Sequence, residues 1–171
     1  MKKVVLCPNP YRDRQLHMTR EVIQILREMG IESAVSLPFA QETTEVPKDL
    51  VYQPLKTAMK RADIMIAFGG DGSILHLAKT AAVHRLPILG INLGNLGYIA
   101  ELESTDLPLL RRLNDADLQY EERMMLNVRV FREEKQVYST TVLNDAVITK
   151  GAVARVIKLQ LYLNQKEFIC Q

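Results

Sequence analysis

Five residues, Gly69-Gly70-Asp71-Gly72-Ser73, constrain this chain more than any other stretch. They follow Ala62-Asp63-Ile64-Met65-Ile66-Ala67-Phe68, a short apolar run of the kind that forms a strand buried on both faces. Behind them, Ile74-Leu75-His76-Leu77-Ala78-Lys79-Thr80-Ala81-Ala82 reads as a helix. The chain must therefore turn sharply from strand to helix, which puts backbone N–H groups at a helix N-terminus, a ready site for phosphate. A carboxylate in the middle of that turn would repel an anion. Asp71 makes sense there if it has a second task, accepting a hydroxyl proton or holding a metal. The turn points to phosphoryl transfer more than to simple nucleotide binding. It is not a Walker loop, since no Gly-Lys-Ser/Thr follows, and not a dinucleotide fingerprint, since position 75 is Leu. A purely structural reading makes Ser73 the helix cap, but three glycines around one Asp exceed what a turn needs.

Strand and helix patterns alternate around this turn. Lys3–Cys7 reads as a strand ended by Pro8-Asn9-Pro10, and Asp13–Met29 as a helix with Leu16, Val22, Ile23 and Leu26 on one side and Gly30 at its C-terminal cap. Ile31–Leu37 is a second strand, Pro38–Asp49 a polar surface loop, Pro54–Arg61 a short helix, and Pro87–Asn92 a further buried strand. Such alternation predicts a parallel sheet with helices on its faces, and ligands in these sheets lie beyond the carboxyl ends of the strands. The glycine-rich turns after Phe68 and after Asn92 both fall there.

The pattern changes near Tyr120. A helix over Asp106–Leu113 gives way to strand-like stretches at Arg123–Arg132 and Gln136–Thr149, with Glu133-Glu134-Lys135 as a hairpin turn. Arg155–Leu163 is another strand, with Leu159, Leu161 and Leu163 alternating against Gln160 and Tyr162. Asn164-Gln165-Lys166 then turns toward a last strand, Glu167–Gln171. The expected fold is α/β: an N-terminal doubly wound, mostly parallel sheet with helices on both faces over residues 1–119, then the beginning of an all-β, antiparallel domain over residues 120–171.

Bulk properties narrow the function by exclusion. A net charge of +2 over 171 residues gives no electrostatic reason to expect nucleic acid or an anionic membrane. No apolar run is long enough to span a bilayer, and Pro8 interrupts the basic start too soon for a signal-peptide core. Cys7 and Cys170 sit at opposite ends without metal-ligand spacing, as expected of reduced residues in a cytoplasmic protein. His17, His76 and His84 lack the spacing of a metal site, and His76 reads as a surface or packing residue of its helix. Arg111-Arg112 and Arg132–Lys135 read as solvated faces, and the methionines, Met124-Met125 included, as core filler.

Two further constellations could carry chemistry. Gly90-Ile91-Asn92-Leu93-Gly94-Asn95-Leu96-Gly97-Tyr98 is, taken alone, either a glycine-punctuated loop or a binding loop. Asn144-Asp145, set in Val142-Leu143 and Ala146-Val147-Ile148, would by itself read as a bulge or an edge. Together with Gly69–Ser73, and in this order along the chain, the three stretches resemble the NAD kinase family. The resemblance implies transfer of the γ-phosphate of ATP, or of polyphosphate, to the 2′-hydroxyl of the adenosine ribose of NAD, with Mg²⁺ accompanying ATP. It implies an α/β domain followed by a β-rich one. Asp71 would contact the acceptor ribose as general base, Gly70 and Gly72 would shape the phosphate loop with Ser73, and Leu75 would line the nearby pocket. Asn92 and Gly94 belong to the second binding loop, Tyr98 takes the place of an aromatic that packs near adenine, and Asn144 and Asp145 match a pair that binds the acceptor's adenosine and ribose.

In the family a Gly-Asp-Gly turn and a Thr-Pro-Thr-Gly-Ser-Thr-Ala-Tyr-like segment follow, whereas this sequence stops at Gln171. Two other readings therefore stay open: a nucleotide-binding fragment without turnover, and a lipid kinase or phosphofructokinase-like enzyme sharing the Gly-Gly-Asp-Gly turn. A lipid kinase is expected to carry a glutamate shortly after the turn, where this chain has Leu75, His76 and Leu77. Homo-oligomer formation is expected of the full-length protein.

Overall fold

The computed structural model describes residues 2–94, 97–149 and 159–168. Strands β1 (Lys3–Pro8), β2 (Glu32–Val35), β3 (Ile64–Gly69), β4 (Ile88–Asn92) and β5 (Leu102–Glu103) form one sheet in the order β2-β1-β3-β4-β5. Every neighbouring pair is parallel. The central strands are apolar throughout because both of their faces are covered, and successive side chains divide between the two layers. Val4, Leu6, Ile64, Ile66, Phe68 and Ile91 face one core with Val22, Leu26, Leu107, Leu110 and Leu113. Val5, Cys7, Met65 and Ala67 face the other with Ala58, Met59, Ile74, Leu77 and Ala81.

Helix α1 (His17–Glu28) covers the first face beside a 3-10 helix, Ser104–Asn114; α2 (Leu55–Met59) and α3 (Asp71–Val83) cover the second. Asp13 caps α1 from a buried position. Its carboxylate accepts hydrogen bonds from the Met18 and Thr19 N–H groups at 3.0 Å each and from Thr19 Oγ1 at 2.6 Å. Gly30, at φ +69°, closes the other end: Ile31 N donates to Leu26 O and Gly30 N to Arg27 O, the paired bonds of a Schellman motif. The helix expected over Asp106–Leu113 is instead tightly wound 3-10, with Pro108 inside it lacking the N–H that an α-helical ladder needs.

Beyond Tyr120 the described chain is antiparallel. Strands β6 (Leu126–Arg132) and β7 (Lys135–Val142) form a hairpin, and β8 (Leu161–Leu163) and β9 (Lys166–Phe168) form another. Both turn on two residues with positive φ, Glu133 and Glu134 at 47° and 65°, Asn164 and Gln165 at 50° and 65°. That geometry matches the twist of the flanking strands. The strand expected over Gln136–Thr149 ends at Val142, so Asn144 and Asp145 lie beyond it in an exposed bend and not within a strand. Most of the strand expected over Arg155–Leu163, the end of Glu167–Gln171, and Cys170 lie outside the described residues. Met59 and Met65 are core residues as expected, but Met124 is exposed. His76 is exposed with its ring tilted against Phe39 at 5.1 Å, a surface packing residue as the sequence suggests.

Candidate active site

Strand order fixes where a ligand can enter. From β1 the chain runs outward to β2 and then returns to β3 on the other side, so the loops after β1 and β3 diverge at the carboxyl end of the sheet. Open parallel sheets bind ligands in the crevice that such a switch creates. The Gly69–Ser73 turn sits there.

Gly69 leaves β3 at φ +144°, and a Cβ on it would strike Ser73 Oγ, so only glycine suits the position. Gly70 is the N-cap of α3 in extended conformation, and Asp71 is the first helical residue. The purely structural alternative, Ser73 as cap, does not hold: Ser73 lies inside the first turn, buried, with its N–H donating to Gly70 O at 2.9 Å. Its hydroxyl accepts from Asn9 Nδ2 at 3.4 Å. The first turn of α3 lies at the switch point, and the helix dipole favours an anion there.

The second glycine loop closes against the first. Leu93 N donates to Gly69 O at 3.1 Å, and Asn92, buried at the end of β4, bonds Glu103 through Nδ2 and receives Gly94 N on Oδ1. The Asp71 carboxylate does not point into the crevice alone. Its Oδ2 accepts the Tyr98 N–H at 2.9 Å and its Oδ1 the Ile99 N–H at 3.1 Å. The Tyr98 bond above all, then those from Ile99 and Ala100 and the charge of Arg123, hold the carboxyl below the usual carboxylate range against the opposing cost of desolvation. Asp71 is thus ionised at neutral pH, and it ties the two glycine loops together.

Asp71, Gly70, Gly72, Ser73, Asn92, Gly94 and Tyr98 therefore gather at one end of the sheet; Asn95 and Leu96 of the same loop lie outside the described residues. The Tyr98 side chain is 93 % exposed and packs on nothing described. Leu75 is half-buried on α3. Asn144 and Asp145 are exposed, and Asn144 Nδ2 donates to Asp145 Oδ2 at 3.0 Å. They follow β7, which Lys79 of α3 joins through Thr140 Oγ1 at 2.7 Å. A groove of about 790 Å³ lies along this junction, lined among others by Ile74, Ala78, Leu89, Ile99, Arg123 and Leu143.

Two site residues escaped sequence reasoning, both on the loop after β1. Asn9 N donates to Phe68 O, its side-chain oxygen accepts Tyr11 N, and Nδ2 reaches Ser73. Arg12 Nη1 lies 4.0 Å from where a Cβ on Gly94 would stand. Arg12 thus comes from the loop after β1 to the loop after β4, the two strands that flank β3. The only hint in the sequence is the Asn9-Pro10 punctuation after the first strand.

Residues 4–114 match the family described as ATP-NAD kinase N-terminal domain. Curated relatives include the NAD kinase of Caldanaerobacter subterraneus subsp. tengcongensis, 34 % identical over 167 residues, which cover 96 % of this chain and 57 % of the relative. The NAD kinase of Acetivibrio thermocellus is 30 % identical over 169 residues, with 96 % and 56 % covered. The chain thus spans little more than half the length of these relatives. The crystal structure of yeast NADH kinase complexed with NADH shares the fold, with a TM-score of 0.61 at 16 % identity over 83 % of this chain and 46 % of that one. On these grounds the chain belongs to the NAD kinase family.

Proposed function

We propose that this chain carries the phosphoryl-donor side of a kinase that phosphorylates the 2′-hydroxyl of the adenosine ribose of NAD, with ATP or polyphosphate as donor. The observation that carries this reading is the ionised Asp71 at the first turn of α3, facing the second glycine loop at the switch point of the sheet. The α3 amides, Gly70, Gly72 and Ser73 receive the donor's phosphates, and Arg12 adds a positive charge above them. No carboxylate among the described residues pairs with Arg12. Asp71 accepts the hydrogen bond, then the proton, of the acceptor hydroxyl. Leu75, Asn92 and Gly94 shape the pocket, Tyr98 packs near the adenine, and Asn144 and Asp145 bind the acceptor's adenosine and ribose.

Mg²⁺ is held in such sites through one or two carboxylates together with substrate phosphates. Among the described residues no three of His, Cys, Asp and Glu gather into a metal-binding group, and the amide-lined turn suits the donor's phosphates, which would carry the cation. When bound, it supplies neutralisation of charge on the transferring phosphoryl group. Residues 1–119 form the donor-side domain in this reading, and residues 120–171 begin the acceptor-side one. Among the described residues no helix is long and apolar enough to cross a membrane. The proposed setting is the cytoplasm, with the full-length protein a homo-oligomer.

The test is NADP⁺ formation from NAD⁺, ATP and Mg²⁺ by the purified chain beside Asp71→Asn. Turnover that falls about 10²–10⁴-fold in a folded variant supports the base role. Equal, measurable turnover in the two folded proteins removes it. Saturable ATP binding by a folded chain without turnover would support the alternative of nucleotide binding alone.

A further inference from the structure

Gly97 has no backbone reason to be glycine, since its φ lies outside the left-handed range. Its reason is spatial. A Cβ built on it would run into Asp71 Oδ1 and lie 3.1 Å from Asp71 Cγ and 3.5 Å from Oδ2. A carboxylate at the end of a short side chain can often swing aside. This one cannot do so freely, because Tyr98 N and Ile99 N hold its two oxygens from the residues that directly follow Gly97. Any movement away from a side chain at 97 lengthens those same bonds.

We infer that Gly97 is a positioning residue for the phosphoryl transfer: by lacking a side chain it lets Asp71 seat both carboxylate oxygens on the loop backbone, which fixes the rotamer and the charge of the proposed base. The inference rests on the base role proposed for Asp71, although the contact itself does not. Its chemical consequence follows from the seat. The Tyr98, Ile99 and Ala100 N–H groups stabilise the ionised form, so the group stays a carboxylate while it waits for the acceptor hydroxyl. The charged side chain bearing on it is Arg123, and α3 contributes the positive end of its dipole. Residues separated by 27 positions in sequence thereby act as one unit: the loop that carries Tyr98 sets the aim of the carboxylate, and the carboxylate sets the place of the loop.

The experiment follows the Asp71 side-chain carbon and the Tyr98 and Ile99 amides by NMR through an acid titration, in the wild-type chain and in Gly97→Ala. In the wild type the two amide shifts are expected to move with the midpoint of Asp71, below the ordinary value of about 3.9. In Gly97→Ala the midpoint is expected to rise to that ordinary value, with exchange of both amides about tenfold faster. An unchanged midpoint in a folded Gly97→Ala overturns the inference. Should that variant fail to fold, Asp71→Ala/Gly97→Ala is compared with Asp71→Ala. Equal melting temperatures support the contact, because its partner has gone, and a further loss on adding Gly97→Ala overturns it. Since none of these readouts is turnover, failure here is distinguishable from failure of the kinase reading, which NADP⁺ formation decides.

Discussion

Adding one methyl group at Gly90 is expected to lift the helix that carries the Gly69–Ser73 turn. Gly90 lies on β4 beneath α3, where a Cβ would approach Ile74 Cδ1 to 2.5 Å, Ala100 Cα to 3.0 Å and Ala100 Cβ to 3.2 Å. Carbon atoms settle at about 3.5–4.0 Å, so the overlap with Ile74 is about 1 Å or more. Ile74 is buried, and Ala100 belongs to the segment that Asp71 holds by its backbone, so neither yields without disturbing a neighbour. Overpacking of this kind costs about 1–3 kcal/mol. For a chain of this size that lowers Tm by about 2–4 °C per kcal/mol. The assay is urea denaturation followed by circular dichroism on Gly90→Ala, Ile74→Val and the double variant. Ile74→Val removes the δ-methyl that the new Cβ meets and costs about 0.5–1.5 kcal/mol alone. The double variant should then be more stable than the sum of the single effects, by about 0.5–3 kcal/mol. A Gly90→Ala protein as stable as wild type, or strict additivity in the double variant, refutes the steric account.

Asp13→Ala should cost about 1–2 kcal/mol, since it strips the cap from α1 and leaves the Met18 and Thr19 amides without their acceptor; a thermal melt within a degree of wild type contradicts this. Burial pushes the Cys7 thiol up to about 12. Unfolded cysteine ionises near 8.5, so this contribution is full below that pH and is lost as pH rises through about 12. Folded protein should resist iodoacetamide at pH 8 while urea-unfolded protein reacts, and equal rates would show Cys7 to be accessible. Arg12→Gln should weaken binding of ATP and of inorganic triphosphate about tenfold while sparing NAD, by titration calorimetry; equal loss for both substrates would place Arg12 outside the donor site.

The parallel sheet was legible because its strands need no partner information: Val4–Cys7 and Ile64–Phe68 are apolar at every position, which only burial on both faces allows. Gly69–Ser73 was legible as a strand-to-helix turn, but the residue that caps the helix was not. Ser73 is a good cap by type, yet Gly70 in extended conformation lets the helix begin at Asp71, where a carboxylate also suits the dipole. Asn144 and Asp145 looked like strand residues because apolar residues flank them on both sides. Val147 and Ile148 are nonetheless exposed, and the described ladder stops at Val142. Beyond the Asn9-Pro10 punctuation, Asn9, Arg12 and the reason for Gly97 could not be read. Each depends on which strands are neighbours, and a hydrophobic pattern specifies faces without specifying order.

The seat of Asp71 against Gly97 also bears on how such a chain can change over generations. While an acidic side chain occupies position 71 in this rotamer, every side chain at 97 is excluded by it and not by the backbone of the loop. A lineage that loses the carboxylate loses that restriction in the same step, and position 97 becomes free to drift. The order of events is then one-way. A substituent acquired at 97 bars this seat to a returning carboxylate, so restoring Asp71 alone does not restore the seat.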